Sequence, residues 1–430
     1  MFSSSSLQNG TTWKVILILG IYTFFVLVCW EYCPASRIVH EILESKSREP
    51  LSHSQKTLKK NVSIYAATTF YQDPITSEMA FQKCPELKEY CSVTNDIKNA
   101  ANADALVFHS RNFYETALTL PRLKKLRNPN VPWIIYSIES PSHERFPEEK
   151  DLFNWTMTYR RDADIWAPYG YLEKVNESVK IDLHEIWALK NKTATWLGSN
   201  CQTPNNRFSL IQRMIQKGLD VDIWGGCGTH PGTCDGVLHQ GEPCVRELIQ
   251  PYKFYLAIEN SNCKDYVTEK LWKSLDDRMT VPIVLRRNTV QDLGVPDSAY
   301  IAVDDFENLD EFVKHVKKVS SDRKLYLKYH EWRKSYKLVF DNGLGGWCSL
   351  CERLQDLDEV ERNRKSYGNA EEWHSLNILP VRVPKNHVIL EIFLLLDNFP
   401  WLVIFSVVWG SAEGGPPQLQ PKGLRTPHPN

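Results

Sequence analysis

The side chains best suited to chemistry cluster in Tyr252–Leu275, YKFYLAIENSNCKDYVTEKLWKSL. An apolar run of strand length gives way to a polar loop carrying Asn260, Ser261, Asn262 and Asp265, and then to a helix expected to open at Val267 or Thr268. A helix start offers unpaired N–H groups and the positive end of the helix dipole, which suits an anion such as a phosphate. Lys270 in the first turn adds a full charge, and Glu269 beside it can accept from vicinal sugar hydroxyls. The same residues also read as an ordinary capped helix, with Asp265 as cap and Glu269 and Lys270 in solvent. A second carboxylate, Glu139, ends the apolar run Val131–Ile138. At the carboxyl end of a buried strand it would be partly desolvated and fit to take a proton, although it could equally cap a turn before Pro141. Arg207 follows a third apolar run, Thr193–Ser199, and its planar fork suits a diphosphate.

Positioning these groups requires the elements around them. Runs at Ser63–Phe70, Ala103–His109 and Val131–Ile138 in the first half are matched by Thr193–Ser199, Val221–Gly225, Phe254–Asn260, Val281–Leu285 and Ala299–Asp304 in the second. Helix candidates separate them at Arg207–Lys217, Thr268–Leu275, Asn308–Val319 and Asp322–Tyr336. Short buried strands alternating with helices predict an α/β chain with parallel sheets in two lobes facing a cleft, and ligands in such folds sit at strand carboxyl ends. Asp162-x-Asp164 follows Arg160 and Arg161, which can neutralise it, so no metal site is expected; Asp304 and Asp305 read as structural.

Fifty-one basic residues balance 52 acidic ones, which excludes the strongly basic footprint usual for nucleic-acid binding. Val15–Trp30 is 16 residues without a charge and does not end in small residues, so it reads as an uncleaved signal anchor. The layout that follows is a cytosolic tail at 1–14, a transmembrane anchor at 15–30, a polar stem at 31–60, lobes at 61–180 and 190–351, and a variable tail at 352–430. The apolar stretch His387–Gly410 carries Glu391, Asp397 and Pro400 and is not read as a span. Sequons at Asn61, Asn154, Asn176 and Asn191 all follow the anchor and place the bulk of the chain in a secretory lumen. Of eleven cysteines, Cys29 and Cys33 lie in or beside the anchor; the remaining nine are an odd number, so disulfides would leave at least one thiol over.

YKFYLAIENSNCKDYVTEKLW resembles the signature of the α1,3/α1,4-fucosyltransferases, glycosyltransferase family 10. VPWIIYSIESPSH at Val131–His143, the segment from Asn154 to Ile165 followed by Pro168-Tyr169-Gly170, and WLGSNCQTPNNR at Trp196–Arg207 are similar to further family segments. Together they cover roughly Asn61–Cys351. The resemblance implies a GT-B fold of two Rossmann-like lobes, the first binding the acceptor and the second GDP-fucose, in a single-pass Golgi protein with its catalytic part in the lumen. It implies inverting transfer of L-fucose from GDP-β-L-fucose to the 3-hydroxyl of an N-acetylglucosamine, in terminal chains or in the chitobiose core of N-glycans. Glu139 would be the base, and Arg207, Asn260, Tyr266, Glu269, Lys270 and Tyr159 would serve the donor. It further implies that Cys84 and Cys91 bridge to Cys348 and Cys351, in an order not readable from sequence. No cofactor is required on this reading, with a divalent cation (Mn or Mg) at most stimulatory. The expected partners are the donor, a glycan acceptor, the Golgi membrane and a second copy of the chain as a homodimer; a catalytically silent glycan-binding protein is the rival reading. Two departures from the family stand out: Leu285 is followed by Arg286 and Arg287 where many relatives have Gly, and the stretch holding Cys227, Cys234 and Cys244 is longer.

Overall fold

The computed structural model describes residues 60–228, 234, 243–356 and 365–376. The expected anchor at 15–30, the stem up to residue 59 and the apolar stretch at 387–410 lie outside the described residues, among which no helix is long and apolar enough to cross a membrane.

The first half builds one sheet. Strands β1 (Val62–Ala66), β2 (Cys91–Thr94), β3 (Ala105–His109), β4 (Trp133–Ser137), β5 (Trp155–Thr158) and β6 (Ile165–Trp166) lie in the order β2-β1-β3-β4-β5-β6, with every neighbouring pair parallel. β3, β4 and β5 are buried along their whole length. Such strands are covered on both faces, which is why they read as unbroken apolar runs rather than alternating ones. After β7 (Gly170–Lys174) the chain builds a second parallel sheet from β8 (Lys192–Leu197), β9 (Val221–Trp224), β10 (Tyr252–Leu256), β11 (Val281–Val284) and β12 (Ile301–Ala302), ordered β12-β11-β10-β8-β9. Helix α1 (Arg207–Gln216) follows β8, α2 (Glu269–Leu275) follows β10 and α3 (Arg287–Gln291) follows β11. In the second sheet chain order reverses between β8 and β10, so their outgoing loops must part there and leave a crevice. Arg207 ends one of those loops and Asn260 lies in the other.

The expected helix Asp322–Tyr336 is corrected. Only Arg323–Lys328 is α-helical, and a short 3₁₀ turn at Glu331–Lys334 leads into β13 (Tyr336–Phe340), which pairs antiparallel with β7. The local amphipathic pattern lost to a pairing with a strand more than 160 positions away, which no window of sequence contains. β7 and β13 pass close to α2: a Cβ on Gly170 would lie 2.7 Å from the Trp272 ring, so only glycine fits there.

Helix α4 (Gly345–Leu354), assigned by chain order to the second lobe, returns to the first. Trp347 and Leu350 join Ile134, Met157 and Trp155 in one core that also takes in Leu271 and Trp272. Disulfides Cys84–Cys348 and Cys91–Cys351 fasten this return, settling the pairing order left open by the sequence. Closing a loop of 264 positions removes about 5 kcal/mol of chain entropy from the unfolded state on the simplest polymer argument. Cys201–Cys227 and Cys234–Cys244 add two more bridges, and Cys263 is the free, buried thiol among the described residues. Residues 365–376, read as tail, also pack on the first lobe: Glu371 accepts from the Phe146 N–H at 2.6 Å, and the His374 ring stacks on Phe146 at 3.9 Å. Asn61, Asn176 and Asn191 are exposed, whereas Asn154 is half-buried and its side-chain carbonyl accepts from the Trp133 N–H at 2.9 Å.

Candidate active site

Glu139 stands just beyond β4, where the chain turns: its N–H donates to Ser137 Oγ at 3.1 Å, and Tyr169 O–H donates to the Ile138 carbonyl at 2.8 Å, fixing the strand end. Its carboxylate does not cap that turn. Oε2 instead accepts from the Tyr266 hydroxyl, at 3.0 Å, across from the loop that follows β10. Burial raises the Glu139 pKa, partly offset by the Tyr266 hydrogen bond and the charge of Lys270, with Glu144 adding to the rise. A carboxylate so placed is more basic than one in water. As the pH falls through its raised pKa it protonates and can no longer take a proton, so activity falls on an acid limb above the ordinary carboxylate range. Tyr266→Phe removes a bond that favours the ionised form. The acid limb of kcat is expected to move to higher pH with little change in donor KM; an unmoved limb in a pH–rate series would separate that limb from Glu139.

The second carboxylate cluster departs from expectation. Asp265 does not cap the helix; it is buried in the left-handed region at φ 60° and accepts from the Arg161 N–H at 3.0 Å. Thr268 is the N-cap, and its N–H and hydroxyl both donate to Glu259 Oε1, at 2.8 and 2.9 Å. The start of α2 is therefore already occupied by a carboxylate from the end of the β10 segment, and the expected phosphate on its bare N–H groups is not supported at that spot. Lys270 lies beside it, its Nζ 3.1 Å from Glu259 Oε2 and 3.0 Å from Glu269 Oε1. Burial alone would lower the Lys270 pKa, but the two carboxylates outweigh it and raise it. Burial would likewise raise Glu269, and Lys270 outweighs that and holds it low. Lys270 is thus firmly cationic, and Glu269 firmly anionic. The charge of Lys270 also reaches Glu139 and favours its ionised form.

Arg207 is buried at the start of α1, its Nη1 donating to the Ile258 carbonyl at 2.9 Å and its Nη2 to that of Asn200 at 3.2 Å. Its Nε has no partner among the described residues, nor do Asn260 Oδ1, Asn262 Nδ2 and His143 Nε2. Buried polar atoms are rarely left unpaired, so this group is what a bound polar molecule would satisfy. Tyr159 is only 2% exposed and reaches the cleft indirectly: its ring packs on Tyr266 at 5.0 Å and supports it. The sequence reasoning gave no role to His143, Asn262 or Glu259. The last was the one charged residue between an apolar strand and a polar loop, a signal that was legible. Arg160 pairs with Asp162 at 2.8 and 2.6 Å, and Asp305 and Asp304 both hold Arg287, as a structural reading of those aspartates requires. Between the ends of β10 and β11 lies a small cavity of about 30 Å³ whose wall includes Glu259, Asn262, Tyr266, Arg286 and Thr289.

Two parallel-sheet lobes bonded across a cleft, with a desolvated carboxylate from one lobe and a cation and unpaired polar atoms from the other, make an α/β site suited to taking up a proton beside a bound polar molecule. Comparison with known proteins makes this specific. Residues 59–170 match the N-terminal domain of the fucosyltransferases, and residues 187–373 match the C-terminal domain of glycosyltransferase family 10 (fucosyltransferase). The chain is 47% identical to α-(1,3)-fucosyltransferase fut-6 of Caenorhabditis elegans, over 85% of this chain and 95% of that one, and 42% identical to fut-5 of the same species, over 83% and 93%. It is 31% identical to the 4-galactosyl-N-acetylglucosaminide 3-α-L-fucosyltransferase FUT6 of Pan troglodytes, over 80% and 93%. The chain belongs to glycosyltransferase family 10 and is a fucosyltransferase.

Proposed function

We propose that the protein transfers L-fucose from GDP-β-L-fucose, with inversion, to the 3-hydroxyl of an N-acetylglucosamine in a glycoprotein or glycolipid glycan. The observation that carries this reading is the 3.0 Å bond from Tyr266 to Glu139, which joins the donor-type loop of one lobe to the base candidate of the other. Names of relatives support the linkage: two are called α-(1,3)-fucosyltransferases, and a third is named for a galactosyl-N-acetylglucosaminide acceptor. Inversion by a single displacement needs one base and a stabilised leaving group. Glu139 takes the proton of the acceptor hydroxyl as its oxygen attacks the anomeric carbon, and the bond from that carbon to the diphosphate breaks. Lys270 and the Nε of Arg207 stabilise the charge that gathers on the departing GDP. Asn260 and Glu269 hold donor hydroxyls, and Tyr266 keeps the base oriented. Four disulfides and three exposed sequons support a secretory setting, for which we propose the Golgi membrane with the catalytic part in the lumen.

The test is GDP release by the full chain in detergent, offered GDP-fucose, GDP-mannose or a UDP-sugar, with terminal N-acetyllactosamine and chitobiose-core acceptors, with and without chelator. Acceptor-dependent release from GDP-fucose alone is the expected outcome. Release from another donor, or none from GDP-fucose with any acceptor, would overturn the proposal.

A further inference from the structure

Lys180–His184 and Arg323–Lys334 face one another across an open groove of about 900 Å³ beside the second lobe. Its floor is apolar: Ile181, Leu183 and Leu327 are half-buried and pack against the core of that lobe. Its walls are fastened to each other, with the Val179 N–H donating to the Lys334 carbonyl at 3.0 Å, Arg323 Nη2 donating to His184 Nδ1, and the Trp187 ring packing on Tyr326 at 5.6 Å. The groove is therefore formed before anything enters it. Lys180, Arg323, Lys324, Lys328 and Lys334 bring positive charge to its lining, against the two carboxylates Asp182 and Glu331. Asp182 serves the main chain, accepting from the N–H groups of His184 and Glu185 at 2.8 and 3.3 Å. None of the four lysines has an ion pair with a described residue. The groove is thus cationic in a chain whose 51 basic and 52 acidic residues otherwise nearly cancel, and such a face attracts an anionic partner.

We propose that this groove is a docking surface for an extended acidic segment of a partner protein, with apolar residues interleaved among its carboxylates. The lysines and Arg323 attract and orient the carboxylates, and the apolar floor takes the side chains that alternate with them. Shape and floor argue against other polyanions. A membrane surface is flat and would meet only the rim, and a sulphated glycan has no aliphatic side chains to cover Ile181, Leu183 and Leu327. The position suits docking rather than chemistry. The helix Leu183–Ala188 leads into the amino end of β8, whereas Arg207 and Lys270 follow the carboxyl ends of β8 and β10, so a segment held in the groove leaves the transfer site open.

The test is fluorescence polarisation of a short labelled peptide of alternating Glu and Leu, titrated with the full chain in detergent and with its Lys324→Gln/Lys328→Gln double variant. Both lysines are exposed, so the variant should fold and release GDP in the transfer assay as the parent does. It is expected to bind the peptide about 3- to 30-fold more weakly, the worth of two solvent-exposed ion pairs. Raising the salt from about 0.15 M to about 1 M shortens the screening length from about 8 Å to about 3 Å and should weaken parental binding likewise. A peptide of alternating Glu and Ser should bind less tightly, because it leaves the floor uncovered. A parent that does not bind the Glu and Leu peptide, or a double variant that binds it equally, would overturn the inference. Equal binding of the Glu and Ser peptide would do the same. So would stronger competition from phosphatidylserine micelles or heparin than from unlabelled peptide, which would assign the groove to a membrane or a glycan. Each of these results leaves the transfer reaction untouched.

Discussion

Glu139→Gln is expected to lower the transfer rate by about 10²- to 10⁴-fold, the usual worth of a positioned base, while GDP-fucose still binds. The amide keeps the size of the side chain and can still accept from Tyr266, so the bond between the lobes survives and only the proton acceptor is lost. A stability measurement separates this from misfolding. The folded state holds a proton on Glu139 more tightly than the unfolded chain does, because burial raises its pKa. The stability this contributes is complete at low pH and is lost as the pH rises through the raised value; above that value the ionised group is a net cost. The neutral amide removes that cost, so the variant should melt no lower than the parent at pH 7, and its advantage should vanish in acid. Parental transfer rates in Glu139→Gln would remove Glu139 from the mechanism.

Lys270→Ala should be more damaging, because it acts on donor and fold together. Taking away the ammonium leaves Glu259 and Glu269 without the cation that pairs with both, at the place where the proposed function puts the leaving diphosphate. Loss of an electrostatic contact to a leaving group is expected to lower kcat/KM by about 10²- to 10³-fold. Removing one partner from a largely buried ionic cluster is expected to cost about 3–5 kcal/mol of stability. Glu259 also caps Thr268, so its release loosens the start of α2 as well. Steady-state kinetics with varied GDP-fucose and a urea melt read the two effects separately. Lys270→Arg keeps the charge and should recover most of the stability. A donor KM and a melting midpoint both equal to the parent's would contradict this account of the cluster.

Glu144 shows how closely the region around the base is tied to the rest of the first lobe. It is buried, accepts from Ser137 at 2.7 Å and from Arg111 at 2.9 Å, and its carbonyl hydrogen-bonds His374 near the end of the described chain. The part of the chain that chain order assigns to a tail thus helps hold Glu144, whose charge reaches Glu139. It could not be placed from sequence, since its partners lie more than 200 positions upstream.

What the sequence determined by itself was local. Parallel strands buried on both faces must be continuous apolar runs, so β3, β4, β10 and β11 were visible at once, and with them the α/β class. Asn260, Tyr266, Glu269 and Lys270 fall on one loop and one helical turn, where fixed spacing already implies shared surroundings. What only the tertiary structure decided were the relations between distant segments: Tyr266 meeting Glu139 across 127 positions, Glu259 claiming the start of α2, β13 pairing with β7, and Cys84 choosing Cys348 over Cys351. Each depends on how two separately formed sheets dock and how the last helix returns. That geometry is set by packing of whole surfaces, and no short pattern of residues carries it.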